Sequence, residues 1–296
     1  MTDLETAALL AALDAGEEHL LGEEMRSTLL THGHRTARVV VLLHGMTASP
    51  RTWRDFALAR HARGETVLIP RLPRHGHADR MTEALAGLTA DELRAQGARI
   101  VDTAAALADE IVVVGFSLGG VLALYLAQRD RRVTRAIAIA PLLGIRPFPS
   151  AGLGALRRLL TRLPRRFLWW NPFDRGRTDP PHGYPRYTTN ALNAGLGLAH
   201  ELMAAARQAP PAAADVDIVR NAGETGVNNG AIDRLVAYWR AAGATNVRVL
   251  HLRGAGISHD VIEPELRGGP APRFLPHLHA LLDGGPGESG ESLEVG

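Results

Sequence analysis

The chain has 296 residues, 46% hydrophobic and 22% charged, the usage of an ordinary globular protein, which excludes disordered and fibrous classes. It contains no cysteine and no lysine, so disulfide frameworks, thiolate metal sites, a cysteine nucleophile, a lysine Schiff base and a P-loop lysine are all excluded. Charge is nearly balanced at 33 basic against 31 acidic residues, and the densest arginine run, Arg157-Arg158…Arg162…Arg165-Arg166, is interleaved with Leu as a solvated helix face would be; no nucleic-acid partner is expected.

In chain order, the start Met1-Thr2-Asp3-Leu4-Glu5 is acidic, unlike a signal peptide, and no apolar run approaches the roughly 20 residues of a bilayer span. A cytoplasmic location without stable membrane insertion is the expectation. Residues 4–24 carry an Ala/Leu-rich, acid-flanked helical pattern. Val39-Val40-Val41-Leu42-Leu43 is a β-branched run ending in His44-Gly45, a buried strand entering a loop. Ser49 and Pro50 then predict the cap and first turn of a helix over 51–63. Strand and helix patterns alternate onward, with strands at 67–70, 111–114 and 136–140 and helices at 91–109 and 119–128. Residues 145–212 break the rhythm with Trp, Pro and Arg/Leu runs. It resumes with strands at 216–220 and 247–252 and helices at 229–242 and 272–282.

This alternation predicts an α/β fold, a mostly parallel central sheet with helices on both faces. Its core comprises 1–144 and 213–283, and a helical cap is inserted at 145–212 over the strand ends. The last residues, 284–296, are rich in Gly, Glu and Ser without apolar period and predict a disordered tail.

Within residues 111–120, IVVVGFSLGG, the segment Gly115-Phe116-Ser117-Leu118-Gly119 is a G-x-S-x-G nucleophile elbow preceded by a strand and followed by a helix. A strand turning that sharply leaves no room for flanking Cβ atoms, and it holds the Ser117 hydroxyl at a helix N-terminus, where developing negative charge is favoured. An activated serine needs a base and an acid to orient it. His259, in the Gly-rich loop after the strand at 247–252, is the candidate base; His75 and His77, in an earlier loop, are candidates for lining the mouth of the site. Glu224, just past the strand at 216–220, is the candidate acid. Asp233 falls inside a helix, and Asp215 and Asp217 lie at the wrong end of their strand. The developing oxyanion needs fixed donors, for which the backbone N–H groups of Met46 and Leu118 are candidates.

With these residues assembled, the chain resembles the α/β-hydrolase fold family over roughly 39–283, and within it the carboxylesterase and monoacylglycerol-lipase-like branch. The carrying segments are Leu42 to Pro50 (LLHGMTASP) with Trp53, Pro70 to His77 (PRLPRHGH) and the elbow itself. The family's PGHG segment stands here as Pro73-Arg74-His75-Gly76, and Glu224 replaces the commoner Asp. The resemblance implies a Ser117–His259–Glu224 triad, the Met46 and Leu118 oxyanion hole, and no metal or organic cofactor. The expected partner is a small ester with an apolar acyl or alcohol part. Trp169, Trp170, Phe173 and Tyr187 of the inserted stretch are candidates to meet it, with Tyr184 and Asn190 as further polar candidates. The alternatives are that these aromatics anchor the cap to the body or touch a membrane or lipid droplet. The same residues could also serve acyl transfer, perhydrolysis, amide cleavage or carbon–carbon hydrolysis, or the scaffold could bind a ligand without catalysis.

Overall fold

A computed structural model describes residues 2–162, 164–173, 180–254, 259–266, 269–284 and 290–294. Its strands are β1 (Thr28–Leu30), β2 (Thr36–Leu43), β3 (Thr66–Ile69), β4 (Ala108–Phe116), β5 (Val133–Ile139), β6 (Phe167–Trp169), β7 (Arg186–Thr188), β8 (Asp215–Asn221), β9 (Val247–Arg253) and β10 (Ser292–Glu294). The helices are α1 (Asp3–Asp14), α2 (Arg54–His61), α3 (Ala90–Leu107), α4 (Leu118–Arg129), α5 (Leu153–Arg162), α6 (Thr189–Ala206), α7 (Asn229–Ala241) and α8 (Ala271–Leu282). The expected fold is found: eight strands form one sheet in the order β1-β3-β2-β4-β5-β8-β9-β10, parallel throughout except for β1, which runs antiparallel to β3.

Burial explains the strand sequences. Val39 to Leu43 and Val112 to Val114 sit at the centre of the sheet, covered on both faces, so they read as unbroken apolar runs rather than alternating ones. α4 is buried along its length from Leu118 to Gln128, between the sheet and α6. Because β3 and β4 flank β2 on opposite sides, the chain reverses its direction of travel across the sheet there. The loops leaving the carboxyl ends of β2 and β4 therefore straddle a topological switch point, where open α/β sheets form ligand sites.

Four expectations need correction. The helix expected over 4–24 ends at Asp14, because Gly16 turns the chain at φ 85° and two short 3₁₀ turns follow. Ser49 makes no cap hydrogen bond; a 3₁₀ turn, Pro50–Trp53, precedes α2, and the Ser49 hydroxyl is used elsewhere. The stretch 145–212 is not uniformly a cap: α6 buries Leu196, Leu198, Ala199 and Leu202 in the body against α4 and α3, leaving α5 and the β6–β7 hairpin ahead of it. The tail is not disordered throughout, since β10 pairs parallel with β9 and buries Leu293. An unpaired sheet margin offers a row of N–H and C=O groups, and three residues with one inward Leu suffice to occupy it.

Candidate active site

β4 ends at Phe116 and α4 begins at Leu118, so Ser117 alone makes the turn, with φ 53° and ψ −108°. That conformation is strained for a residue with a side chain and persists only where its surroundings enforce it. The enforcement is visible. The Ser117 amide donates to Ile139 O at 2.9 Å, and the Gly119 amide donates to His44 O at 3.1 Å. A Cβ on Gly115 would lie 2.1 Å from Gly119 O, and one on Gly119 would lie 2.4 Å from Leu43 O. Both glycines are therefore required by close backbone approach, as the spacing anticipates.

The hydroxyl so held lies 3.0 Å from His259 Nε2, and His259 Nδ1 lies 2.7 Å from Glu224 Oε2. The three side chains arrive from the ends of β4, β9 and β8, and the imidazole is the part-exposed member, its ring 5.1 Å from that of Phe116. The other oxygen of Glu224 accepts from the amides of Gly226 at 2.6 Å and Val227 at 3.0 Å. Burial pushes the Glu224 carboxyl up, but the His259 hydrogen bond, its charge and these two amides outweigh it and hold the pKa below the usual glutamate value. A carboxylate fixed at both oxygens selects the His259 tautomer with its proton on Nδ1, leaving Nε2 free to accept from the serine. Other carboxylates are spoken for: Asp217 is fully buried between Arg135 and Arg248, each at 2.6 Å, and Asp233 pairs with Arg220 at 2.6 Å.

The loop leaving β2 lies beside this line. Among the described residues, the amides of Met46 and Leu118 donate to no protein acceptor; Leu118 opens α4, where the first N–H groups of a helix have no partner within it. His44 shapes the loop from beneath: Nδ1 donates to Gly45 O at 2.9 Å while Nε2 accepts from the Leu72 amide at 3.1 Å. Burial, above all, pushes the His44 pKa well down, so it stays neutral in this bridging role. Thr47 takes φ 68°, with its hydroxyl 2.5 Å from Met46 O.

The candidates from the inserted stretch divide. Trp170 Nε1 donates to Thr47 Oγ1 at 2.8 Å, and its ring lies 4.4 Å from that of Tyr187, so this pair comes to the β2 loop. Trp169 lies under the Arg186 guanidinium at 5.8 Å, and Phe173 is 98% exposed and stands clear of the body. Tyr184 and Asn190 are structural: the Tyr184 hydroxyl accepts from the His77 amide and donates to Arg74 O, and Asn190 donates to Ala86 O and Leu88 O. His75 and His77 do not line an open mouth but are buried, His75 donating through Nδ1 to Pro73 O and His77 lying 3.2 Å from Glu17. Ser49, His182 and Glu263, which no spacing in the sequence connects, also meet near this site. Among the described residues no group of three or more His, Asp or Glu could hold a metal ion, and no helix is long and apolar enough to cross a membrane.

A family model described as the alpha/beta hydrolase family matches residues 40–285. Among solved structures, the chain is similar to one from a study of two metagenome-derived lipolytic enzymes, LipS and LipT, at 20% identity and TM-score 0.67, covering 89% of this chain and 99% of that one. It is similar to the Paleococcus ferrophilus monoacylglycerol lipase at 17% identity and TM-score 0.62, covering 86% and 97%. It is also similar to a soluble variant of the Saccharomyces cerevisiae monoglyceride lipase at 12% identity and TM-score 0.63, covering 87% and 91%. At these identities the likeness is one of fold. No curated protein matches the chain in sequence.

Proposed function

The chain belongs to the alpha/beta hydrolase family, and from that premise we propose that it is a serine hydrolase cleaving carboxylic esters of short- to medium-chain or monoacylglycerol-like type. The observation that carries this reading is the unbroken line of hydrogen bonds from Ser117 Oγ through His259 to Glu224, at 3.0 and 2.7 Å. Ser117 Oγ attacks the ester carbonyl as His259 Nε2 takes its proton, and Glu224 stabilises the imidazolium. The Met46 and Leu118 amides receive the oxyanion, each such donor being worth roughly 3–4 kcal/mol in the transition state. His259 then protonates the departing alcohol, and water repeats the cycle on the acyl-enzyme to release the acid. The part of the 145–212 stretch ahead of α6 serves as the cap, and the Trp170–Tyr187 pair beside the Thr47 loop offers an apolar wall to the substrate.

The test is hydrolysis of p-nitrophenyl esters of graded acyl length by the parent chain and by Ser117→Ala, with labelling by a fluorophosphonate beside it. The reading expects turnover and labelling in the parent and neither in the variant. Equal turnover in both proteins would overturn the mechanism, and labelling without turnover on any ester would move the assignment to acyl transfer.

A further inference from the structure

Inside the protein lies a second array of the same three residue types. Ser49 Oγ is 3.0 Å from His182 Nδ1, and His182 Nε2 is 3.2 Å from Glu263 Oε2, an ion-pair distance without hydrogen-bond alignment. The three residues are 0, 4 and 2% exposed, and the His182 imidazole is closed to solvent where that of His259 is part-exposed. Their origins give the array its meaning. Ser49 closes the loop that carries Met46, Glu263 lies four residues beyond His259, and His182 belongs to the inserted stretch.

Further bonds run between the same parts. Thr52, in the 3₁₀ turn after Ser49, donates to the same Glu263 oxygen at 2.9 Å. The Tyr184 amide, two residues from His182, donates to Thr47 O at 2.7 Å, and Trp170 holds the Thr47 hydroxyl. Thr47 is β-branched and sits at φ 68°, a conformation that lasts only when its surroundings over-determine it. Burial pushes the Glu263 carboxyl up, but His182 and the donors of Glu265 and Thr52 prevail and keep it a carboxylate, the form that attracts an imidazole.

We propose that His182 is a positioning residue: reaching in from the inserted stretch, it ties the loop bearing the Met46 amide to the segment bearing His259, so that oxyanion donor and base keep a fixed spacing. The proposal rests on the serine-hydrolase reading for its consequence. Fixed donors stabilise an oxyanion only while held to a fraction of an ångström, and a displacement of about 1 Å can cost on the order of a hundredfold in rate.

The experiment compares the full-length parent with Ser49→Ala, His182→Phe and His182→Gln, by amide hydrogen–deuterium exchange and by steady-state hydrolysis of a p-nitrophenyl ester. Ser49→Ala and His182→Phe should each speed exchange about tenfold in both 45–49 and 259–263, and lower kcat about 10- to 100-fold with KM within twofold. His182→Gln, which retains polar atoms toward both partners, should recover part of the kcat. Exchange that rises only around 180–184, or a melting temperature that falls while kcat holds, would reduce His182 to packing and overturn the proposal. A parent chain inactive on every ester would instead overturn the functional reading, and the exchange measurement would still decide whether the two segments are tied.

Discussion

Ser117–His259–Glu224 and Ser49–His182–Glu263 share residue types and nearly share spacings: 3.0 and 2.7 Å in the first line, 3.0 and 3.2 Å in the second. Their imidazoles are reversed. His259 turns Nε2 to its serine and Nδ1 to its carboxylate, whereas His182 turns Nδ1 to Ser49 and Nε2 to Glu263. Their serines differ more. Ser117 stands at φ 53° in the turn just before α4, beside two amides that have no protein acceptor among the described residues, while Ser49 is extended at φ −140° and sealed from solvent. What separates a candidate nucleophile from a tie is therefore the strained backbone, the helix end and the open side of the imidazole, not the three residue types.

Several substitutions sharpen that contrast. The largest effect is expected from Ser117→Ala, which should lower kcat on p-nitrophenyl esters by 10³-fold or more, the order seen when a triad serine is removed; Ser49→Ala should stay within about a hundredfold, and equal losses would erase the distinction. Next, Glu224→Gln should reduce kcat about 10²- to 10⁴-fold through the wrong imidazole tautomer, with little change in KM. Gly119→Ala drives a Cβ into Leu43 O and His44 O and should cost about 2–4 kcal/mol of stability, read as a lower denaturant midpoint.

A smaller effect is carried by pH. His75 is fully buried, and burial above all lowers its pKa to about 4 from an ordinary 6.5. Its imidazole is neutral when folded and takes up a proton on unfolding between those values. The stability it contributes is thus complete above pH 6.5 and is lost as the pH falls toward 4, at about 1.4 kcal/mol per pH unit for one proton. His44, shifted in the same direction by burial, steepens the slope. Denaturant titrations at pH 7, 6 and 5 should show the decline, and a flat profile would contradict the neutral, buried assignment. Last, Phe173→Ser should leave stability within about 0.5 kcal/mol and alter acyl-length preference only severalfold, because the ring stands free of the body.

What could be read from the sequence follows the range of the interactions. The sheet was legible because Val39 to Leu43 and Ile111 to Val114 announce buried parallel strands locally, and Ser117 because its neighbours need glycine at fixed offsets. Glu224 and His259 could be ranked by chain order and strand ends. His182 could not: its partners, Ser49 and Glu263, lie 133 residues before it and far beyond it, and nothing near it in sequence marks a tie. Thr47 at positive φ gave no signal, since a β-branched residue is the last that turn chemistry would suggest. Ser49-Pro50 misled for a related reason: a serine before proline has the local form of a helix cap, and only the tertiary partner reveals another use.

β10 has a practical consequence. β9 would otherwise present an open row of peptide groups at the end of the sheet, and Ser292–Glu294 covers it. Shortening the chain before Ser292 would bare that row to a neighbouring molecule, so a truncated protein should associate with itself through strand pairing, visible as larger species in size-exclusion chromatography.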